Sequence, residues 1–187
     1  MKNKQSLWII LVGALAMIVV AAVIYIYRQH NKVKDLFQAA QTVSRLTKEK
    51  EQLTKTVQLA SRLNASNITV NGLTDKDVVT DRIKKMVKIE FRFVINKNIT
   101  APTGEKTVYI RITKPDNEAL IKSRSDVFAY GNEEITYSSK QTVLFDGEEL
   151  PVTIDWNIEE YLMSGAYRVD IFADGNRIGQ KSFKLDK

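Results

Sequence analysis

The feature that most constrains this chain is an uncharged apolar run near its start. Leu7 to Tyr27 reads LWIILVGALAMIVVAAVIYIY, 21 residues without a charged side chain. At about 1.5 Å per residue, a helix of this length spans roughly 30 Å, the thickness of the bilayer hydrocarbon core. The residues expected at the membrane interface are aromatic or basic, as is usual for such sites: Trp8, Tyr25, Tyr27 and Arg28. The run therefore predicts a transmembrane helix at residues 7–27.

A cleaved signal peptide is the alternative interpretation of this run. Its apolar region would be about 7–15 residues long and would end at a small-residue cleavage site. Ala14-Leu15-Ala16 has that form, but the apolar run continues for 11 residues beyond it, which favours an uncleaved signal anchor. Basic residues flank both ends in nearly equal number. The short basic tail at residues 1–6 favours a cytoplasmic N-terminus, with the C-terminal part across the membrane.

Residues 28–64 carry a heptad repeat and contain neither Pro nor Gly. Apolar residues recur at alternating steps of three and four, and the predicted coiled-coil seam consists of Leu36, Val43, Leu46, Leu53 and Val57, with Ala39 and Ala60 beside them. This spacing predicts a helical coiled-coil stalk that associates with a second copy of the chain. Lys50 occupies one seam position and would weaken the association. A lone helix is the alternative.

Charge separates the stalk from the C-terminal region. Residues 1–86 carry 14 basic and 6 acidic side chains, whereas residues 87–187 carry 14 basic and 16 acidic ones. A nucleic-acid-binding protein would concentrate basic side chains on its folded domain, so we expect no nucleic-acid partner. The basic excess suits a stem beside the anionic headgroups of a lipid bilayer. A solvated helix explains it equally well.

Residues 65–86 are rich in Asn, Thr and Asp, and Asn71-Gly72 is a turn signal. We predict a linker here, with a possible short helix before residue 87. Residues 87–187 then show short segments of alternating apolar and polar residues separated by turns. The segments are 87–95, 107–113, 120–121, 135–137, 141–145, 150–156, 167–173 and 178–185. They predict an all-β, immunoglobulin-like antiparallel sandwich of seven to eight strands, with Trp156 in its core.

The residues that carry chemistry are few. The chain has no Cys and one His, His30, which excludes Cys-ligated metal sites and makes a His-based catalytic triad within one chain improbable. Paired acidic residues lie at turns, where solvated charges are common: Glu133-Glu134, Glu148-Glu149 and Glu159-Glu160. We predict no catalytic residue, no cofactor and no metal ligand, and hence no enzyme. Tyr109, Tyr130 and Tyr137 are the candidates for an exposed binding face.

Three segments carry a family resemblance: KTVYIRITKPDNEAL at 106–120, EITYSSKQTVLF at 134–145 and GAYRVDIFADGNRIGQKSFKL at 165–185. They resemble an uncharacterised bacterial family of single-pass membrane proteins with a coiled-coil stalk and a C-terminal β-sandwich. The resemblance covers residues 83–187. Its motifs are strands and turns, so it implies an architecture and no catalytic residue.

Together these observations predict a non-enzymatic interaction or scaffold protein of the cell envelope. A stalk anchored in the inner (cytoplasmic) membrane by residues 7–27 would present the sandwich to the periplasm and to an unknown protein partner. The alternative is a binding module for cell-wall glycan (peptidoglycan), in which exposed aromatic rings would stack on sugars.

Overall fold

The fold was examined in a computed structural model, which describes the backbone of residues 2–186. Side chains are described for residues 13, 15, 17–30, 32, 34 and 36–186. The chain divides into two compact units, one ending at Lys55 and the other beginning at Thr56. The first unit is helical, and the second contains the end of that helix and all the described strands.

One continuous helix, α1, runs from Lys2 to Ala60. Between residues 28 and 60 no Pro or Gly interrupts it. The hydroxyl groups of Thr42, Thr47 and Thr54 donate hydrogen bonds of 2.8–2.9 Å to carbonyl oxygens one turn earlier, so these polar side chains are satisfied within the helix. A helix over the predicted stalk is thus confirmed to residue 60.

The predicted membrane anchor lies partly outside the described side chains. Trp8 and the rest of residues 7–12 belong to that undescribed part, whereas Tyr25, Tyr27 and Arg28 are described and exposed on α1. Within the described residues, we found no helical stretch with both the length and the apolar character needed to traverse a bilayer. The anchor at residues 7–27 stays a prediction.

Ten strands make up the described β-structure. They are β1 (Ala65–Leu73), β2 (Lys88–Ile95), β3 (Gly104–Thr113), β4 (Ala119–Leu120), β5 (Val127–Tyr130), β6 (Glu133–Thr136), β7 (Ser139–Phe145), β8 (Leu150–Asn157), β9 (Gly165–Ala173) and β10 (Asn176–Leu185). A single 3₁₀ turn, Ile83–Lys85, precedes β2. Every ladder between these strands is antiparallel.

The strands form two main sheets and one separate hairpin. The first sheet has the order β1-β2-β8, and the second contains β10-β9-β3. Strand β9 lies along one edge of β3, and strands β7 and β4 lie one after the other along the opposite edge. Some β3 residues pair with both β9 and β7, and others pair with both β9 and β4. Strands β5 and β6 pair only with each other in the described chain.

Alternation along the strands places one face of each main sheet in a shared core. The first sheet contributes Ile89, Phe91, Phe93, Ile95, Val152, Ile154 and Trp156, and the second contributes Val108, Ile110, Ile112, Tyr167, Val169, Ile171 and Ile178. Burying each large apolar side chain contributes roughly 1.5–3 kcal/mol. Trp156 is 2% exposed and lies in the core, as predicted.

The chain is therefore a helix followed by a predominantly antiparallel β-domain, and the details correct two predictions. Residues 65–73 are not a linker but strand β1, which pairs with β2 over seven register positions. The hairpin formed by β5 and β6 was only half anticipated, since β5 was not predicted. Strand β5 brings the count within residues 87–187 to nine, β2 to β10, rather than the predicted seven to eight.

Candidate interaction site

Five aromatic side chains meet on the outward face of the second sheet. We call them the aromatic cluster: Tyr109, Phe128, Tyr130, Tyr137 and Phe172. Tyr109 and Phe172 are cross-strand partners on β3 and β9. The Tyr109 and Phe128 rings stack with centroids 4.4 Å apart and planes 7° apart. The Phe172 ring lies 5.1 Å from both Phe128 and Tyr130.

The hairpin of β5 and β6 supplies two of these rings. Phe128 and Tyr130 are two residues apart on β5 and so project to the same side. Gly131 begins the turn with φ of +62°, a conformation that favours glycine. The ring contacts show that the inward side of this hairpin packs on the outward face of the second sheet. Phe128 is consequently buried.

Polar groups border the aromatic cluster at Tyr137. The Tyr137 hydroxyl donates a hydrogen bond of 3.3 Å to Asp126 Oδ1. The Lys140 ammonium lies 5.3 Å from the Tyr137 ring centroid. The interaction with the Tyr137 hydroxyl is the first cause of a raised pKa for Lys140.

The predicted binding face thus has a definite geometry. Tyr109, Tyr130 and Tyr137 do come together, but Tyr109 and Tyr137 are half-buried and Tyr130 is 38% exposed. The Tyr109 and Tyr137 rings contact each other at 5.2 Å. The surface left open to a ligand is smaller than three free tyrosines would offer. Ligand binding at this face stays a prediction.

The open edges of the two main sheets differ in how they are protected. The register of β1 shifts between Ser66 and Thr69, and that of β10 shifts between Arg177 and Gly179. Strand β8 carries Pro151. Bulges and prolines are devices that block pairing with a further strand.

Strand β7 has neither device. Its seven residues pair in unbroken register with β3, and within the described chain its other edge forms no ladder. Leu144 is 70% exposed, and Lys140, Gln141 and Thr142 are also exposed. A regular, largely exposed edge strand is a template for an additional strand.

The outward face of the first sheet is charged. Lys88 Nζ lies 3.0 Å from Asp77 and 3.2 Å from Asp155, and its hydrogen bond to Asp77 is the first cause of its raised pKa. Arg92 forms two parallel bonds of 2.8 and 2.9 Å with Glu90. Asp77, Lys88, Glu90 and Arg92 line a cleft of about 350 Å³. Because the charges are already paired, the cleft offers little for ligand recognition.

The remaining predicted residues lie apart from these surfaces. The seam residues Leu36, Val43, Leu46, Leu53 and Val57 are all on α1 and 53–70% exposed, so the described chain does not cover them. In the described residues, no group of three or more His, Asp or Glu side chains is placed to hold a metal ion.

Sequence reasoning missed the phenylalanines of the aromatic cluster. Phe172 alternates with the core residues Val169 and Ile171 along β9 and therefore faces outward, yet it is 4% exposed. The hairpin above it causes that burial. The signal that could have revealed this hairpin is Phe172 itself, a large apolar residue at an outward-facing position of a central strand.

Comparison with known proteins adds a family. The sequence model described as Domain of unknown function (DUF8428) matches residues 66–186. The chain belongs to this family. The DUF8428 match begins at β1 and ends just after β10, and thus includes the strand that we had predicted to be linker. No curated protein matches the chain.

Solved structures offer distant likenesses to the DUF8428 domain. One is a β-glucosidase from Kluyveromyces marxianus, with 15% identity and a TM-score of 0.41 over 68% of this chain and 15% of that one. Its complex with glucose gives 16% identity and a TM-score of 0.39, covering 68% and 14% of the two chains. Another is the Pseudomonas fluorescens alkylpurine DNA glycosylase AlkC bound to DNA, with 12% identity and a TM-score of 0.40, covering 68% and 31%. The chain spans less than a third of each of these proteins, and the scores are too low to support an argument.

Proposed function

We propose that this chain is a non-enzymatic interaction module, which binds an extended segment of a protein partner as an additional strand on β7. The observation that carries the proposal is the unbroken register of β7 with β3, next to an edge that has no ladder. Main-chain hydrogen bonds would provide affinity, and alternate side chains would provide specificity.

The side chains of β7 suit such a partner. Leu144 and Thr142 project to the same side as Lys140, and all three are exposed. An added strand would therefore meet one apolar, one polar and one cationic side chain along this face. Leu144 is the expected anchor, because burying it removes the largest exposed apolar surface on the strand.

The fold type of the β-domain and its attachment to a membrane are part of the same proposal. We propose an immunoglobulin-like sandwich, because the orders β1-β2-β8 and β10-β9-β3 correspond to strands A-B-E and G-F-C of that fold. A membrane anchor at residues 7–27 and a self-associating stalk would display the module in the cell envelope. The apolar composition of the run and the exposed seam of α1 support this arrangement.

Glycan binding is the less favoured function. Sugar recognition requires open aromatic faces, whereas Tyr109 stacks face to face on Phe128 and Tyr137 contacts Tyr109. Only Tyr130 of the three tyrosines reaches 38% exposure. Retention of the full chain on purified peptidoglycan, lost on Tyr130→Ala, would favour the glycan function over strand addition.

The proposed function can be tested by photo-crosslinking in cells. A photoreactive amino acid is placed at Leu144, 70% exposed on β7, and at Tyr161, 83% exposed on the connection between β8 and β9, as the control. We expect a discrete crosslinked protein at Leu144 and none at Tyr161. Equal products at both sites would contradict a specific surface.

Proline substitutions separate strand addition from side-chain contact. Backbone N–H groups of neighbouring strand residues point to opposite edges, so only one of Gln141→Pro and Thr142→Pro removes a bond to β3. That variant should melt at a lower temperature. The other should keep its melting temperature and lose the Leu144 crosslink, and persistence of the crosslink there would refute strand addition.

Topology is tested by labelling. The chain has no native cysteine, so Tyr161→Cys provides one exposed thiol in the β-domain. We expect a membrane-impermeant maleimide to label it in cells whose inner membrane is intact. Labelling that requires lysis of that membrane would contradict a periplasmic β-domain.

A further inference from the structure

A group of arginines surrounds one buried carboxylate on the outward face of the second sheet. We call Arg111, Arg168 and Arg177 the arginine patch. Asp170, whose side chain is 5% exposed, receives Arg168 Nε at 2.9 Å and Arg177 Nη1 at 3.4 Å. Arg111 lies directly opposite Asp170 in the β3–β9 ladder, and cross-strand partners share a face. Two arginines therefore pair with Asp170 and the third shares its face of the sheet, so these four residues carry two positive charges in excess.

Two hydrogen-bonding groups on the same face have no partner. The Arg111 Nε–H and the Thr113 hydroxyl are both buried and make no hydrogen bond within the described chain. They are two residues apart on β3 and so project to the same side, and Thr113 is directly opposite Arg168. Buried polar groups are almost always hydrogen-bonded. Both groups can donate, so the missing partner is an acceptor.

The fact that all three cations are arginines indicates which kind of acceptor they bind. Lysine outnumbers arginine 19 to 9 in the chain, yet the three cations of this patch are all arginine. A guanidinium presents its donors in a planar fork that matches the paired oxygens of a carboxylate or phosphate. Asp170 engages Arg168 and Arg177 with one bond each in the contacts above, so each retains further donors.

We propose that the arginine patch, together with the Thr113 hydroxyl, binds an oxyanion, a carboxylate or phosphate group of an external ligand. The oxyanion accepts from Arg111 and Thr113 and offsets the excess charge around Asp170. The site lies on an outward sheet face and does not depend on strand addition at β7. The Phe172 ring, two residues along β9 from Asp170, borders it on one side.

The test is an NMR titration of the full chain in detergent micelles, with arginine Nε–H groups as the probes. Sodium phosphate and sodium acetate are added separately, and sodium chloride at matched ionic strength is the control. We expect a saturating shift of the Arg111 Nε–H with at least one oxyanion and no comparable shift with chloride. Saturation with phosphate alone or acetate alone identifies which group the site prefers.

Two substitutions test whether the change in the Arg111 Nε–H chemical shift reports binding at the arginine patch. Arg111→Lys removes the fork and should weaken oxyanion binding on the order of tenfold or more. Arg92→Lys is the control, because it makes the same change at an arginine on the outward face of the other sheet, where Arg92 pairs with the buried carboxylate of Glu90. Equal weakening by both variants would overturn the proposal. So would an absence of saturation in the wild-type chain, which does not depend on how any variant folds.

Discussion

The Ser138 hydroxyl, from the residue just before β7, bridges the backbones of β3 and β4. Its Oγ accepts a hydrogen bond of 2.8 Å from the Ile112 backbone N–H and donates one to the Leu120 carbonyl oxygen. Ser138 is 3% exposed. It lies between Ser139, the first residue of β7, and Leu120 of β4 along the edge of β3. One side chain therefore satisfies two backbone groups that the ladders leave unpaired.

Removing this hydroxyl should be costly. We expect Ser138→Ala to lower the free energy of unfolding by about 2–4 kcal/mol, because it leaves a buried N–H and a buried carbonyl without partners. Ser139→Ala is the control, since the Ser139 hydroxyl makes only a 3.4 Å contact with the Asp155 carbonyl. Urea unfolding would measure both, and a similar loss in the two variants would contradict the bridging role.

Asn98 fastens the end of α1 to the β-domain. Its Nδ2 donates to the carbonyl oxygens of Ala60 and Arg62 at 2.9 and 3.0 Å, while its Oδ1 accepts from the backbone N–H groups of Thr100 and Ala101. We expect Asn98→Ala to cost about 1–3 kcal/mol of unfolding free energy.

The variant Asn98→Asp separates these two roles, because aspartate keeps the acceptor and loses the donor. We expect hydrogen exchange to quicken near Ala60 while the 98–101 turn stays protected. Faster hydrogen exchange both near Ala60 and in the 98–101 turn would mean that the hydrogen bonds of Nδ2 and those of Oδ1 are coupled.

Tyr167 makes stability depend on pH in the alkaline range. Its hydroxyl donates to the Met163 carbonyl oxygen at 2.8 Å, and burial is the first cause of a pKa raised above 10.0. The folded state therefore holds the phenolic proton more tightly than the unfolded state. The contribution is fully present below pH 10.0 and is lost as pH rises through the folded pKa.

Comparison with Tyr167→Phe isolates that contribution. At neutral pH the variant should be about 1 kcal/mol less stable, because it lacks the hydrogen bond. The lysines with raised pKa that lie away from Tyr167, such as Lys88, titrate in both proteins and cancel in the difference. We expect the two stability curves to converge above pH 10.0, and a constant gap would contradict the assignment.

Phe128 is the side chain that holds the β5–β6 hairpin on the sheet. We expect Phe128→Ala to cost about 2–4 kcal/mol and to release the hairpin first, because this ring contacts Tyr109 and Phe172. Hydrogen exchange should quicken at residues 127–136 while the β3–β9 ladder stays protected. Val127→Ala, on the exposed side of β5, should leave exchange unchanged.

The stalk hypothesis predicts an effect of Lys50. If α1 pairs with a second copy through the predicted seam, Lys50→Leu replaces a repelling charge by an apolar contact and should tighten association by roughly tenfold or more. Lys48→Leu lies off the seam and should not. Sedimentation equilibrium of the full chain in density-matched detergent measures both, and a monomer in every case would rule out the coiled coil.

Strands with strict alternation were predictable from the sequence. Strand β8 is an example, because Val152, Ile154 and Trp156 all face the core and their neighbours face solvent. Strand β1 was not predictable in this way. It is half-buried, contains Asn67, Asn71 and Gly72, and has a positive φ at Asn67, where its register is interrupted. Its ladder with β2, rather than its own propensity, makes it a strand.

The surface sites were predictable only in part. Three tyrosines of the aromatic cluster were named from the sequence, but their partner Phe128 is on a strand with no alternation long enough to detect. The pairing of Arg111 with Asp170 depends on the β3–β9 register, and five other strands, β4 to β8, separate the two residues in the chain. Such contacts follow from topology, which local patterns do not encode.

The position of Trp156 gives this protein a built-in optical reporter. The chain has two tryptophans, and Trp156 is enclosed by apolar side chains of both sheets. Its emission should therefore be blue-shifted in the folded protein and should move to longer wavelength when the sheets separate. Replacing Trp8 by Phe leaves Trp156 as the only tryptophan, which can be excited selectively over the tyrosines. Unfolding of the β-domain can then be followed by fluorescence without a signal from the apolar N-terminal run.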